Sequence, residues 1–174
     1  ACERASLLGG IWRAWEEFAI TARARVPTLG IQLVQRHSPL RRRPFPHLRY
    51  ITNSGGVFPV ELVKRYREHV PNTRIYLMYG LSEAFRSTYL PPDEVDRRPG
   101  SMGRAIPECE ILVVRENGQE CDVEEPGELV HSGPTVALGY WNRPEATVAV
   151  FRPDPRGENE HPGKVVYSGD LVRR

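Results

Sequence analysis

Lysine, cysteine and long apolar runs are scarce in this chain, and each shortage narrows the functions open to it. Lys64 and Lys164 are the only lysines among 24 basic residues, so a mechanism that needs a catalytic lysine has two candidates. The three cysteines, Cys2, Cys109 and Cys121, are too few and too irregularly spaced for a disulfide framework or a zinc site. Such sparse thiols are typical of a reducing compartment, and we expect a cytoplasmic protein.

No run of about 18 apolar residues occurs, so the sequence predicts no membrane-spanning helix. The 22 acidic residues nearly balance the basic ones and leave a net charge of +2, which argues against a nucleic-acid partner. Arg41–Arg43 could serve an RNA- or membrane-surface element, but without interleaved aromatic residues a solvated loop explains it better. The first 26 residues could pass for an arginine-rich transit peptide, but Glu3, Glu16 and Glu17 are acids that such peptides avoid.

The apolar pattern of the first hundred residues favours a helix followed by an α/β segment. Apolar residues at spacings of three and four predict a helical segment within residues 1–25. Within residues 26–100, Leu48–Thr52 and Arg74–Tyr79 are apolar runs typical of strands, and a helix is predicted to begin at Pro59 between them. A helix of that length between two strands is a crossover, which implies a parallel sheet.

Residues 101–174 change to short strands separated by turns. Asn117-Gly118 between apolar segments is a strong hairpin signal. A short helix is predicted to begin at Pro144, and the polar segment Arg152–Gly163 is predicted to be a loop. The predicted fold class is therefore α/β, with a partial parallel α/β subdomain followed by a small antiparallel, barrel-like β-rich subdomain.

Three glycine-containing loops follow predicted strands: Ser54–Gly56, Tyr79–Glu83 and Ser168–Asp170. The first two lie at carboxyl ends of strands in the predicted parallel sheet, where ligands of open α/β proteins bind. Glycine allows a ring or a phosphate to approach the backbone closely. Each loop alone is typical of an ordinary turn, and only their ordered combination indicates a site.

The side chains in these loops suit the parts of a nucleotide. Tyr79 offers an aromatic face for a base, and Ser82 offers a hydroxyl donor for a phosphate oxygen. Glu83 is a hard oxygen ligand of the kind that Mg²⁺ prefers. Asp170 can accept hydrogen bonds from both hydroxyls of a ribose. The residues therefore suggest a nucleotide site with a metal ion.

The same loops resemble, in order, the core motifs of the adenylate-forming superfamily, which contains acyl-CoA synthetases, luciferases and peptide-synthetase adenylation domains. Tyr79–Glu83 resembles the fifth motif, Tyr-Gly-x-Thr-Glu, with serine at the usual threonine. Gly127–Thr147 resembles the sixth motif, and Tyr167–Asp170 resembles the seventh. The resemblance extends over Val26–Arg174. The run Ala84–Leu90 also resembles the AMP-forming acyl-CoA ligases associated with exosortase A systems.

The resemblance implies where the nucleoside would bind. Gly55 and Gly56 would flank the adenine and the acyl pocket. Tyr79 and Gly80 would stack beside the adenine, and Asp170 would bind the ribose hydroxyls.

The resemblance also implies the reaction and its partners. Ser82 would contact the α-phosphate of ATP, and Glu83 would hold Mg²⁺. A small-molecule carboxylic acid would attack the α-phosphorus to give acyl-AMP and pyrophosphate, and coenzyme A would then take the acyl group as a thioester. Positioning and charge neutralisation suffice for this chemistry.

Parts of the family pattern are not found in this sequence. Nothing in residues 1–50 resembles the phosphate loop with its lysine, and the domain that would carry the catalytic lysine is not found after Asp170. Residues 1–25 also depart from the pattern, which places a strand before Val26–Thr28. We therefore expect a fragment, truncated or with a shifted start, that is inactive alone.

Two alternatives remain open at this stage. One is a fragment of an amino-acid adenylation domain of a peptide synthetase, which passes its product to a carrier-protein thiol. The other is a non-catalytic remnant that keeps only the scaffold. The intact Glu83 and Asp170 argue against decay, and the missing loops argue for it. The sequence does not reveal the acid or the oligomeric state.

Overall fold

A computed structural model describes residues 10–11, 13–15, 17–34, 45–157 and 163–174. The expectation about Arg41–Arg43 lies outside these ranges. The chain forms two compact units, one containing Ala1–Tyr79 with Leu90–Gly103 and the other containing Gly80–Tyr89 with Arg104–Arg174. No helix in the described ranges is long and apolar enough to cross a lipid bilayer.

The described part of the first unit contains three parallel strands, β1 (Ala22–Arg25), β2 (Tyr50–Asn53) and β3 (Arg74–Tyr79). They lie side by side in that order. Helix α1 (Pro27–Leu33) follows β1, and helix α2 (Val60–His69) connects β2 to β3. The predicted crossover and its parallel sheet are therefore confirmed.

Helix α2 forms because its sequence has one apolar face that the sheet can bury. Leu62, Val63 and Tyr66 lie within about one helical turn of each other and are buried. They belong to the same core cluster as Ile51 of β2 and Ile75 of β3. This packing fixes the helix against the sheet and leaves the carboxyl ends of β2 and β3 at one edge.

Strand β1 corrects our expectation for residues 1–25. We predicted a helical segment that departs from the family pattern, but helical residues between 10 and 17 are followed by a strand that leads into Val26. The strand contains two arginines whose guanidinium groups stack on aromatic rings. Arg23 lies 5.0 Å from the centroid of Trp15, and Arg25 lies 3.7 Å from that of Tyr66. Because the strand contains these two arginines, its sequence lacks the apolar pattern that predicts a strand.

The next two strands along the chain are β4 (Thr88–Leu90) and β5 (Arg104–Ala105), and Thr88 and Tyr89 pair antiparallel with Ala105 and Arg104. They are followed by β6 (Glu110–Val114), β7 (Gly127–Ser132), helix α3 (Pro144–Val150), β8 (Phe151–Pro153) and β9 (Lys164–Val172). The last four strands form the antiparallel sheet of the second unit, in the order β6-β7-β9-β8.

The turn at Asn117-Gly118 is confirmed. The amide of Gly118 donates to the carbonyl of Arg115 at 2.9 Å, and Val114 bridges Glu120 in antiparallel fashion. Gly118 has a φ of +83°, a conformation that glycine adopts without steric cost. The predicted turn therefore has the residue type that its backbone needs.

The prediction of a loop from Arg152 to Gly163 is wrong at its start. Phe151–Pro153 forms β8, whose residues pair with Lys164–Val166 of β9. Phe151 is buried at the beginning of this pairing and anchors it. Proline is tolerated because β8 lies at the edge of the four-stranded sheet.

Candidate functional site

The glycine loop after β2 packs closely against the segment that follows β1. Gly55 and Gly56 have φ values of +78° and +150°. A Cβ atom on Gly56 would lie 3.3 Å from Cγ of Pro27, and one on Gly55 would lie 3.5 Å from Cγ1 of Val26. Both glycines are exposed, so their backbone is accessible at the carboxyl end of the sheet.

Tyr79 lies at the same edge of the sheet. It is the last residue of β3, and Leu77, two residues before it, pairs with Asn53 of β2. Because β2 and β3 are parallel, the end of β3 and the loop that follows β2 lie at the same edge of the sheet. The first unit therefore brings Gly55, Gly56 and Tyr79 to one edge.

Gly80 begins a tight turn that contains Ser82 and Glu83. A Cβ atom on Gly80 would overlap the backbone nitrogen of Arg86 and lie 2.9 Å from the carbonyl oxygen of Ala84. Only glycine fits here, which adds a packing reason to the nucleotide contact implied by the resemblance. The turn leaves Ser82 exposed and Glu83 partly exposed at its tip.

Glu83 is held by Tyr140, a residue from the sixth motif. The Tyr140 phenol donates a hydrogen bond to Oε1 of Glu83. This bond raises the pKa of Tyr140, because losing the phenolic proton would place two negative charges together. The Glu83 carbonyl also accepts from the amide of Ala137 at 2.8 Å. Both the side chain and the backbone of Glu83 are therefore fixed by the segment before α3.

The Glu83 carboxylate is an oxygen ligand of the kind that Mg²⁺ accepts. Among the described residues, no group of three or more histidines, cysteines or carboxylates could hold a metal ion. Mg²⁺ is commonly held by one or two carboxylates together with phosphate oxygens and water. Glu83 therefore fits as a single protein ligand to such an ion.

Asp170 lies on β9 in an open cleft of about 420 Å³, which also contains Arg115, Glu128 and Gly169. Ser82 and Glu83 do not line this cleft. The Arg115 guanidinium donates to the Glu125 carboxylate at 2.5 Å and 2.7 Å, and this contact raises the pKa of Arg115 and lowers that of Glu125. Arg115 is therefore paired within the chain, and Glu116, Glu128 and Asp170 are the acidic residues that line the cleft.

A buried serine–histidine pair in the second unit was not predicted. The Ser87 hydroxyl and Nδ1 of His131 are 2.6 Å apart, and neither side chain is exposed to solvent. Burial lowers the pKa of His131 to about 4, and the nearby charge of Asp170 opposes part of this shift. The pair joins the segment after Glu83 to β7, the neighbour of β9. Ser87 and His131 are 44 residues apart, so no local pattern could have revealed the contact.

The first unit thus has glycine-containing loops at the carboxyl end of a parallel sheet, and the second unit has an acidic turn and a cleft lined by carboxylates. Ligands of open α/β proteins bind at such loops. The chain belongs to the family of AMP-binding enzymes, whose profile matches residues 3–141. The match includes most of residues 1–25, which we expected to follow the family poorly.

Curated relatives share about a third of their aligned residues with this chain. Glycine betaine reductase ATRR from Emericella nidulans is 33% identical over 160 residues, which are 88% of this chain and 12% of that protein. Bacitracin synthase 3 from Bacillus licheniformis is 32% identical over 132 residues, 75% of this chain and 2% of that protein. A long-chain-fatty-acid–CoA ligase from Escherichia coli is 37% identical over 102 residues, 58% of this chain and 18% of that protein. The chain thus spans less than a fifth of the length of these relatives.

Solved structures confirm the fold class. The crystal structure of VinN matches with a TM-score of 0.80 and 29% identity, covering 92% of this chain and 38% of VinN. O-succinylbenzoate coenzyme A synthetase (MenE) from Bacillus subtilis, solved with ATP and magnesium, matches with a TM-score of 0.78 and 26% identity. That match covers 95% of this chain and 32% of MenE.

Proposed function

We propose that this chain forms part of the nucleotide-binding domain of an AMP-forming acyl-CoA ligase. Such an enzyme activates a carboxylic acid with ATP and passes the acyl group to coenzyme A. The observation that carries the proposal is the Gly80–Glu83 turn in a member of the AMP-binding family. The turn is too tight for any side chain at Gly80, and Tyr140 holds the acidic group at its tip.

Ser82 and Glu83 are proposed to act on the phosphates. The exposed Ser82 hydroxyl would donate to an α-phosphate oxygen, and Glu83 would hold Mg²⁺. When bound, the ion neutralises phosphate charge that would otherwise repel an incoming carboxylate. Tyr140 orients the Glu83 carboxylate through its hydrogen bond, so the acidic group is already positioned before substrate arrives.

The remaining residues are proposed to bind the nucleoside. Gly55, Gly56 and Tyr79 lie at one edge of the first unit, where a flat ring could rest on exposed backbone. Gly80 would lie beside the same ring. Asp170 would accept from the ribose hydroxyls in the carboxylate-lined cleft. The acid would attack the α-phosphorus, pyrophosphate would leave, and the thiol of coenzyme A would then displace AMP.

The acceptor of the acyl group distinguishes our proposal from its main alternative. The similarity to bacitracin synthase 3 favours an amino-acid adenylation domain, whose acceptor is a carrier-protein thiol. The run Ala84–Leu90 supports a coenzyme A ligase of the exosortase-associated kind. Formation of an acyl-CoA thioester from free coenzyme A would support the ligase, and strict dependence on a carrier protein would support the alternative.

The proposal is tested by carboxylate-dependent pyrophosphate release from the gene product that contains these residues, across a panel of carboxylic acids. Glu83→Gln keeps the shape of the side chain but removes its charge, and we expect a loss of about 100-fold or more. Glu68→Gln, at an exposed carboxylate on α2 outside the motifs, is the matched control and should retain full activity. Normal turnover in Glu83→Gln would contradict the assignment, and no turnover with any acid in the unmutated protein would favour the non-catalytic alternative.

For the 174-residue chain by itself we expect weak Mg·ATP binding and no acyl-adenylate. Neither lysine is among the residues that we propose to bind ATP. Lys64 pairs with Glu61 at 3.0 Å on the exposed face of α2, and Lys164 is exposed at the start of β9. Calorimetric titration with Mg·ATP tests this expectation, and tight binding would contradict it.

A further inference from the structure

Asp170 lies in an irregular part of the β7–β9 pairing. Glu128 pairs with Leu171 and Val130 pairs with Tyr167. Between these two pairs β7 contributes one residue, Leu129, whereas β9 contributes three, Ser168–Asp170. The strand that carries Asp170 therefore bulges outward by two residues. Bulges of this kind redirect side chains and are over-represented next to active sites.

Two side chains hold the bulge in place. The Gly169 amide donates to Oε1 of Glu128 at 3.0 Å. The Ser168 hydroxyl donates to the carbonyl of Leu129 at 2.7 Å, and the amide of Asp170 donates to the Ser168 oxygen at 3.0 Å. The amides of Gly169 and Asp170 thus find side-chain acceptors in place of the ladder partners that they have lost.

The backbone of the bulge is held by hydrogen bonds more than by packing. Gly169 has a φ of +73°, and no atom of the described residues lies within 4 Å of the Cβ that another residue would place there. Glycine is therefore required for its backbone conformation and not for space. Because the bulge is exposed, packing contributes little to its order, and its hydrogen bonds must supply that order.

We propose that Glu128 and Ser168 are positioning residues that aim the Asp170 carboxylate at a vicinal diol. The inference rests on the proposed function, in which that diol belongs to the ribose of ATP or AMP. Glu128 acts by accepting the Gly169 amide, and Ser168 acts by linking the Asp170 amide to β7. Neither residue needs to touch the nucleotide.

The test compares AMP with 2′-deoxy-AMP by calorimetric titration on the gene product that contains these residues. The unmutated protein should bind AMP at least about tenfold more tightly than 2′-deoxy-AMP, because the deoxynucleotide lacks the hydroxyl that would donate one charge-assisted hydrogen bond. We call this preference the affinity ratio. Glu128→Ala and Ser168→Ala should bring this ratio close to one. Glu128→Gln and Ser168→Thr retain the acceptor and the hydroxyl, and should keep the ratio within about twofold of the original.

Two controls separate positioning from general damage. Glu68→Ala removes an exposed carboxylate on α2, outside the motifs, and the affinity ratio should not change. The thermal midpoints of all variants should stay close together, since two of the three bulge bonds are exposed and the Ser168–Leu129 bond is only partly buried. Hydrogen exchange of the Gly169 amide, measured on the 174-residue chain, should accelerate in Glu128→Ala and not in Glu128→Gln.

The outcomes distinguish failure of the inference from failure of the proposed function. An unchanged ratio in Asp170→Ala would show that the ribose assignment is wrong. The preference for AMP could disappear in Asp170→Ala and persist in Glu128→Ala and Ser168→Ala. That result would overturn only the positioning role. Equal losses in Glu128→Gln and Glu128→Ala would also overturn it, because the charge of Glu128 would then act on the ligand directly. If neither nucleotide binds, the proposed function fails, and unchanged Gly169 exchange in Glu128→Ala would overturn the inference as well.

Discussion

Acidification should weaken the second unit through His131. In the folded protein burial lowers the pKa of this imidazole from 6.5 to about 4, whereas in the unfolded chain it has its ordinary value. As the pH falls, the unfolded state therefore takes up a proton first. The stabilising contribution of the neutral imidazole is fully present above about pH 6.5 and is lost progressively as the pH falls toward 4.

The size of the effect follows from this pKa difference. A group whose pKa falls from 6.5 to about 4 contributes up to about 3 kcal/mol, of which about 2.5 kcal/mol is lost by about pH 4.5. The Ser87 hydroxyl does not cause the shift, because it can form a hydrogen bond with either state of the ring. It donates to Nδ1 when the imidazole is neutral and accepts from Nδ1–H when the imidazole is protonated. The cause is burial, since both side chains are fully enclosed.

Urea unfolding of the 174-residue chain between about pH 7.5 and pH 4.5 measures the loss, and the imidazole carbon and proton shifts of His131 report its pKa directly. His131→Asn retains a polar group near Nδ1 but does not titrate, so its unfolding free energy should lack this component of the pH dependence. His47→Asn, at an exposed histidine, is the matched control and should follow the unmutated protein.

The contribution of Asp170 offers a further check on the same group. Asp170→Asn removes the negative charge that raises the pKa of His131, so that pKa should fall further. A His131 pKa near 6.5, or identical pH dependence in the unmutated protein and His131→Asn, would refute the reasoning. It would show that water reaches the imidazole in the folded state.

Two further substitutions test packing in each unit. Gly80→Ala should abolish pyrophosphate release, because the added methyl group would overlap the backbone of Arg86 and displace the acidic turn. Gly100→Ala is the control, since its methyl group would meet no described atom within 4 Å and activity should not change. Full activity in Gly80→Ala would contradict this prediction. Arg25→Met should leave urea stability within about 1 kcal/mol of the original or increase it, since replacing a buried charge with an apolar side chain is often neutral or stabilising. Arg25 is only 5% exposed, and its guanidinium has no hydrogen-bond partner among the described residues. Burial lowers its pKa to about 10. A larger loss of unfolding free energy in Arg25→Met would mean that stacking on Tyr66 outweighs the cost of desolvating the charge.

The sequence predicted those parts of the fold whose stability comes from local pattern. Strands β2 and β3 and helix α2 have apolar residues at the spacings of their own secondary structure, and glycine stands where the hairpin needs a positive φ. Strands β1 and β8 were missed for a common reason. Each is short and carries arginine, and each becomes a strand only because a neighbouring strand offers hydrogen bonds.

In the candidate site, too, the residue types could be predicted from the sequence but their contacts could not. Serine, glutamate and aspartate after glycine could be proposed as ligands from their chemistry alone. The groups that hold them could not, because Tyr140 is 57 residues from Glu83 and Glu128 is 41 residues from Gly169. Long-range contacts of this kind depend on strand order and register, which a single sequence does not encode locally.

Strand register explains why residues of motifs far apart in the chain form hydrogen bonds with each other. Glu128 pairs with Leu171, which places the Glu128 carboxylate beside the bulge that contains Asp170. A shift of one residue along either strand would point Glu128 to the other face of the sheet and leave the Gly169 amide without its acceptor. The sixth motif therefore contributes to both carboxylates of the proposed site, through Tyr140 to Glu83 and through Glu128 to Asp170. Its spacing is constrained by the geometry of β7 and β9 as well as by the nucleotide that the site is proposed to bind.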